Sequence, residues 1–260
     1  MLADALALTV RIASCGLVIA GLESYVAREV FTPGHPMARS VISMLHHRPL
    51  SYAWDRTLKP LLLAQVASAV WLVIFGPAST FGAVALLILL GSVLAVQWRR
   101  TLGGDGAEQM SILIVLTAVV AFVPTGSETV ARIAVIFLVV QLMLSYTTAG
   151  VVKLVSPSWR SEPILASILS THRFGSSVIA EYLRRRPMLC VLLQWSVITL
   201  ELGFSFALVL PLPGLFAFLL GGLCFHIACA VLMGLNTFLW AFPATYPCVY
   251  AVWSIWSPWG

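Results

Sequence analysis

Long uninterrupted runs of apolar residues dominate this chain, and its polar residues gather between them. Eight runs can be drawn, at roughly 2–24, 60–76, 80–98, 108–124, 128–154, 189–210, 214–233 and 236–256. Most approach the ~20 residues that an α-helix needs to cross a bilayer. None alternates with the period of two that a barrel strand shows over ~10 residues. The pattern predicts an all-α integral membrane protein, a polytopic bundle of about eight transmembrane helices. The run at 60–76 is short enough to be re-entrant. Two long connections, 25–59 and 155–188, hold short amphipathic stretches at 37–45 and 176–186, which are expected to lie as interfacial helices. Elsewhere the turns are tight, as at Phe75-Gly76-Pro77 and Pro211-Leu212-Pro213-Gly214, where Gly and Pro end helices.

Composition removes the soluble alternative. Of 260 residues, 60% are hydrophobic and 10% charged, with mean hydropathy +0.98; soluble domains carry about 25% charged residues. The first run lacks the basic leader and small-residue cleavage site of a secretory signal, and Arg11 interrupts it, so a retained first helix is expected. The chain reads as a single membrane domain over 1–260, with no separate soluble domain.

The net charge of +5 comes from residues in the connections. With eight spans, Arg28, Arg39, Arg48, Arg56, Lys59, Arg99, Arg100, Arg160, Arg173 and Arg184-Arg185-Arg186 fall on one side, and essentially only Arg132 on the other. The positive-inside rule makes the loaded side cytoplasmic and puts both termini outside. Charges so placed face lipid head groups; the expected partner is the bilayer, and a nucleic acid is not.

Ionisable residues within apolar runs raise a functional hypothesis by default, because a bilayer penalises them. Here they are Arg11, Glu23, Asp105, Glu108, Lys153, Glu201 and His226. Glu23 and Lys153 lie near helix ends, where they can snorkel. Arg11 and Glu201 are candidates for a buried structural pair, and His226 for a hydrogen-bonded packing residue. Asp105, with Glu108 three residues on, has the form of a helix N-cap and capping box. Two readings of Lys153 stay open. It is an interfacial anchor, or it is a base for a phenol-like or carbon acid, because desolvation disfavours an ammonium. The adjacent His46 and His47 read as loop residues. The five cysteines form no CxxC pair and read as apolar packing residues, so no metal site is expected.

The stretch from Gln141 to Leu154, with Tyr146 and the run Ala149-Gly150-Val151-Val152-Lys153-Leu154, is followed by Ser158-Trp159. It resembles the vitamin K-dependent γ-carboxylase and its bacterial relatives, the horizontally transferred transmembrane (HTTM) domain family. Three further pieces agree in order: the first run with Arg11, Gly104-Asp105 ahead of an apolar run, and Phe225-His226 followed by Gly234 and Phe238. The resemblance implies a membrane enzyme of a bacterial inner membrane that modifies or matures a peptide. It implies vitamin K hydroquinone or another lipid quinol as cofactor, with Lys153 as the base. His226 and Asp105 would join it in catalysis, and Arg11, Glu201, Tyr146 and Trp159 would line the pocket. Two departures accompany it. The carboxylase has a histidine in the region of Asp105, and its soluble domain has no counterpart here. A peptide would therefore be held by loops or by a small partner subunit. The carboxylase works at the lumenal face, whereas charge bias places Lys153 on the cytoplasmic side. The rival expectations are a non-catalytic partner or scaffold in peptide-toxin maturation, export or immunity, and a small-molecule transporter built on broken helices.

Overall fold

A computed structural model describes residues 1–45, 47, 53–100, 104–123, 127–171 and 175–259, and among these every regular element is helical. His46, Arg48, Gly103 and Arg173 lie outside the described residues. The chain divides into two compact units, one comprising Ala3–Ala134 and the other Val135 onward together with Met1–Leu2.

The first unit contains α1 (Leu2–Val26, less its first residue), α2 (Arg39–Leu45), α3 (Ala53–Arg56), α4 (Leu58–Phe75), α5 (Thr80–Gln97) and α6 (Gly106–Phe122). The start of α7 (Glu128–Val155) also belongs to it. The second holds the rest of α7, then α8 (Pro157–Ser161), α9 (Ile164–Leu169), α10 (Ser177–Arg184) and α11 (Pro187–Gly203). It continues through α12 (Leu212–Met233), α13 (Asn236–Ala241) and α14 (Tyr246–Trp256).

Six helical stretches are long and apolar enough to cross a membrane: Leu2–Val26, Trp54–Phe75, Thr80–Gln97, Glu128–Val155, Pro187–Val209 and Leu212–Met233. Many of their exposed positions are apolar as well. In α5, Ala85, Leu86 and Leu89 are buried while Phe81, Val84, Leu87 and Ile88 are exposed. A helix that is greasy on both its packed and its open face suits lipid as the surrounding medium. The chain is thus a helical integral membrane protein.

Two of the eight predicted runs differ from expectation, and a third keeps its predicted length but is shorter than the six long stretches. The run at 60–76 joins α3 into a 22-residue stretch from Trp54, long enough to span; Asp55, Arg56 and Lys59 conceal its start in the sequence. The run at 108–124 becomes α6, of 17 residues. The run at 236–256 is broken into α13, a 3-10 turn at Pro243–Thr245 and α14. Pro243 and Pro247 lack the N–H that a continuous helix needs there.

Several hydroxyls within the apolar helices are satisfied locally. The hydroxyls of Ser68, Ser92, Ser111 and Thr117 donate to carbonyls three or four residues back. Both amphipathic stretches are helical, as α2 and α10. The latter buries Ala180 and Leu183 in a small core with Ala166 and Leu169 of α9 and Cys190 of α11. That core supports the connection leading away from Lys153.

Candidate functional site

One face of α7 presents Tyr146, Ala149 and Lys153, spaced three and four residues apart, to a cavity of about 270 Å³. Helix α11 contributes Val197 and Glu201, and α12 contributes Phe225, His226 and Cys229. Trp159 of α8, Phe238 of α13 and Phe242 complete most of the wall. Gly150 lets α7 and α11 approach closely, since a Cβ there would stand 2.9 Å from Leu202 Cγ.

At the polar end of α7, Lys153 Nζ donates to both carboxylate oxygens of Glu201, at 2.7 and 2.8 Å. The two side chains are 19% and 4% exposed. The Trp159 ring lies 5.3 Å from Nζ, within cation–π range. Lys153 therefore does not snorkel as a lone anchor: its charge is matched inside the protein. The expected pairing of Arg11 with Glu201 is not the one formed, because a short lysine–carboxylate contact satisfies Glu201.

A second polar group comes from Tyr146 and His226. The tyrosine hydroxyl lies 2.7 Å from His226 Nε2 and 3.2 Å from the hydroxyl of Tyr246. The Tyr146 ring stacks on Phe204 at 4.1 Å, and His226 stacks on Phe242 at 5.1 Å. His226 is 2% exposed, and its Nδ1 has no hydrogen-bond partner among the described residues. Gly222 makes room for this arrangement. A Cβ there would collide with the Tyr246 hydroxyl and stand 3.1 Å from that of Tyr146.

The structure brings five of the seven candidate residues together: Tyr146, Lys153, Trp159, Glu201 and His226. Arg11 and Asp105 belong to the first unit, where each serves a helix end. Arg11 Nη1 donates to the carbonyls of Val73 and Ile74 at 3.3 Å, in the last turn of α4. A guanidinium suits that end of a helix, where carbonyls lack partners and the dipole is negative. Asp105 Oδ1 accepts from the N–H groups of Ala107 and Glu108 at 3.0 and 2.9 Å, the N-cap expected for α6. Glu108 carries its carboxylate to Arg100.

Residue-by-residue reading of charges missed Gln194, which is wholly buried. Its amide donates to the carbonyls of Trp159 and Glu162 at 3.0 and 2.8 Å. Its oxygen accepts from Leu165 N–H at 3.3 Å and from the Cys190 thiol at 3.2 Å. One side chain thus ties the α8–α9 connection to α11 and holds Trp159 beside Lys153. An uncharged amide within an apolar run was the available signal. Tyr246 and Gly222 carried no comparable one.

A shallower groove of about 560 Å³ follows α7 past Gln141, Leu144, Thr148 and Val152, and shares Ser145, Ala149, Lys153 and Trp159 with the cavity. Comparison with family models, curated proteins and solved structures gave no match.

Proposed function

We propose that this chain is a carboxylase-like membrane enzyme that modifies a peptide, using a lipid quinol and Lys153 as base. The observation carrying this reading is the apolar cavity with a Lys153–Glu201 pair and a His226–Tyr146 pair in its wall. The surrounding frame is a bundle of eight spans in a bacterial inner membrane. In it, α6 and the α13–α14 segment add two crossings to the six long ones, and α2 and α10 lie along the interface.

The lining fits a quinol. Its ring is flat and apolar, and its hydroxyls both donate and accept. The wall is aromatic at Trp159, Phe225, Phe238 and Phe242. His226 Nδ1, buried without a partner among the described residues, offers a donor or an acceptor depending on its tautomer, and a quinol hydroxyl matches either. The volume sits near the lower end of small-molecule pockets, roughly 300–1,000 Å³, as suits a ring whose tail lies outside. Phe238, Phe242 and Trp159 would hold the ring, and vitamin K hydroquinone is the type of molecule meant. When bound, the quinol supplies electrons and, with dioxygen, a base strong enough to deprotonate a carbon acid.

The chain's own residues have separate tasks. Lys153 Nζ takes a proton at the cavity wall. Glu201 fixes Nζ in place and can hold its proton across a 2.7 Å hydrogen bond, leaving an amine free to accept another. Tyr146 and Tyr246 orient His226, and the apolar wall keeps water from the basic atoms. The groove along α7 would receive the peptide, assisted by a loop or a small partner subunit.

The test uses the full chain in nanodiscs with a naphthohydroquinone, dioxygen, bicarbonate and glutamate-containing peptides that are weighed by mass spectrometry. Wild type should bind the quinol and add the mass of carbon dioxide to its peptide. Lys153→Met should bind within a few-fold and add none. A folded, fully active Lys153→Met variant would remove the base. The double contact between Lys153 and Glu201 also suits a second reading, a non-catalytic maturation partner. That reading gains if maturation survives Lys153→Met with wild-type yield.

A further inference from the structure

The first unit contains a buried charge that the proposed chemistry does not use. Arg99 follows the end of α5 and is 5% exposed. Its Nη2 donates to Thr57 Oγ1 at 2.7 Å, and its guanidinium carbon lies 4.6 Å from the centre of the Trp54 ring. Its Nε and Nη1 are buried and have no hydrogen-bond partner among the described residues. Desolvation disfavours its charge, and Asp55 offsets part of that cost. A guanidinium removed from water with idle donors is incomplete until an acceptor reaches it.

Those donors adjoin space. Arg99, Arg28, Thr32, Trp54 and Asp55 line a cavity of about 160 Å³. Asp55 is the acidic group there, and it is paired with Arg39 at 3.2 Å. Arg28 donates one nitrogen to the Tyr25 carbonyl at 2.9 Å, and among the described residues it forms no ion pair. The pocket therefore has a positive excess shared by two guanidinium groups. Its position narrows the ligand. The pocket draws on the start of α4, the end of α5 and the segment after α1, so it lies at span ends. Tyr25 and Trp54 are placed there as interfacial aromatics are. Basic pockets between span ends receive phosphorylated head groups.

We propose that this pocket binds a phosphate group, carried by an anionic phospholipid or free in solution. Arg99 provides the buried donors, Arg28 adds charge from the rim, and Trp54 keeps the Arg99 plane in place. The purified full chain in a neutral detergent can be titrated with short-chain phosphatidic acid, with inorganic phosphate, and with diacylglycerol of the same chains, following thermal unfolding. Phosphatidic acid alone, phosphate alone, or both should raise the wild-type midpoint, which also separates the two sources. Diacylglycerol should not. Arg28→Gln, which leaves the Arg99 contacts intact, should weaken the response at least tenfold, and Arg99→Gln should abolish it. If Arg99→Gln does not fold, Arg28→Gln decides. The proposal fails if neither phosphate source shifts the midpoint, if diacylglycerol matches phosphatidic acid, or if Arg28→Gln responds as wild type does.

Discussion

Replacing Gln194 with leucine isolates the link that holds the α8–α9 connection over the cavity. The two side chains are similar in size, so the change removes hydrogen bonds with little change in volume. It strands three backbone groups: the carbonyls of Trp159 and Glu162 and the N–H of Leu165. Glu162 is exposed, so water can serve its carbonyl. Each of the other two costs about 1–3 kcal/mol when left unpaired. The sum is roughly 2–4 kcal/mol, once partial hydration near the surface is allowed for. At ~2–4 °C per kcal/mol for a chain of this size, the unfolding midpoint in detergent should fall by about 5–15 °C. Limited proteolysis should cut faster between residues 156 and 171, because Trp159 loses its tether. Gln194→Glu should be at least as harmful, since it keeps the acceptor but loses both donors and buries a charge. A Gln194→Leu protein that unfolds within about 2 °C of wild type, with unchanged proteolysis, would refute the clamp.

Other substitutions test the rest of the architecture. Lys153→Met strands a carboxylate that is 4% exposed and should cost about 3–5 kcal/mol in chemical unfolding, whereas Lys153→Met with Glu201→Leu should recover most of it. Gly222→Ala should cost about 1–3 kcal/mol by crowding Tyr146 and Tyr246, while Gly91→Ala, with open space around it, should be neutral or gain up to ~1 kcal/mol; calorimetry of the pair decides. Asp105→Ala should lose about 0.5–2 kcal/mol of α6 capping, read as faster amide exchange over Ala107–Gln109. Arg11→Met should lower the midpoint through the last turn of α4 by about 1 kcal/mol without altering quinol binding.

Helix class and most helix positions were legible because lipid removes the need for a polar face: a spanning helix is visible as an unbroken apolar run. Broken helices were less so. Pro243 and Pro247 lie in a run whose composition alone reads as continuous, and only the positions of the missing N–H groups mark the break. In the site, Lys153, Glu201 and His226 stood out because a bilayer makes any ionisable residue conspicuous. Their pairing did not follow from that. Arg11 and Glu201 are opposite in charge and equally conspicuous, yet Arg11 finds backbone acceptors at Val73 and Ile74 while Glu201 meets Lys153. Partner choice depends on which helices meet, and hydropathy does not specify that. Gln194 and Gly222 escaped for a simpler reason: one is uncharged, and the other acts through an absent side chain.

The joining of Lys153 to Glu201 has an electrical consequence. A unit charge crossing a full bilayer gains or loses about 2.3 kcal/mol per 100 mV of membrane voltage. Positive and negative charges held 2.7 Å apart experience nearly the same voltage, so the forces on them largely cancel. A proton passing between Nζ and the carboxylate likewise crosses only a small fraction of that voltage. The cavity therefore keeps the same electrical character whether the cell holds its membrane energised or lets it depolarise.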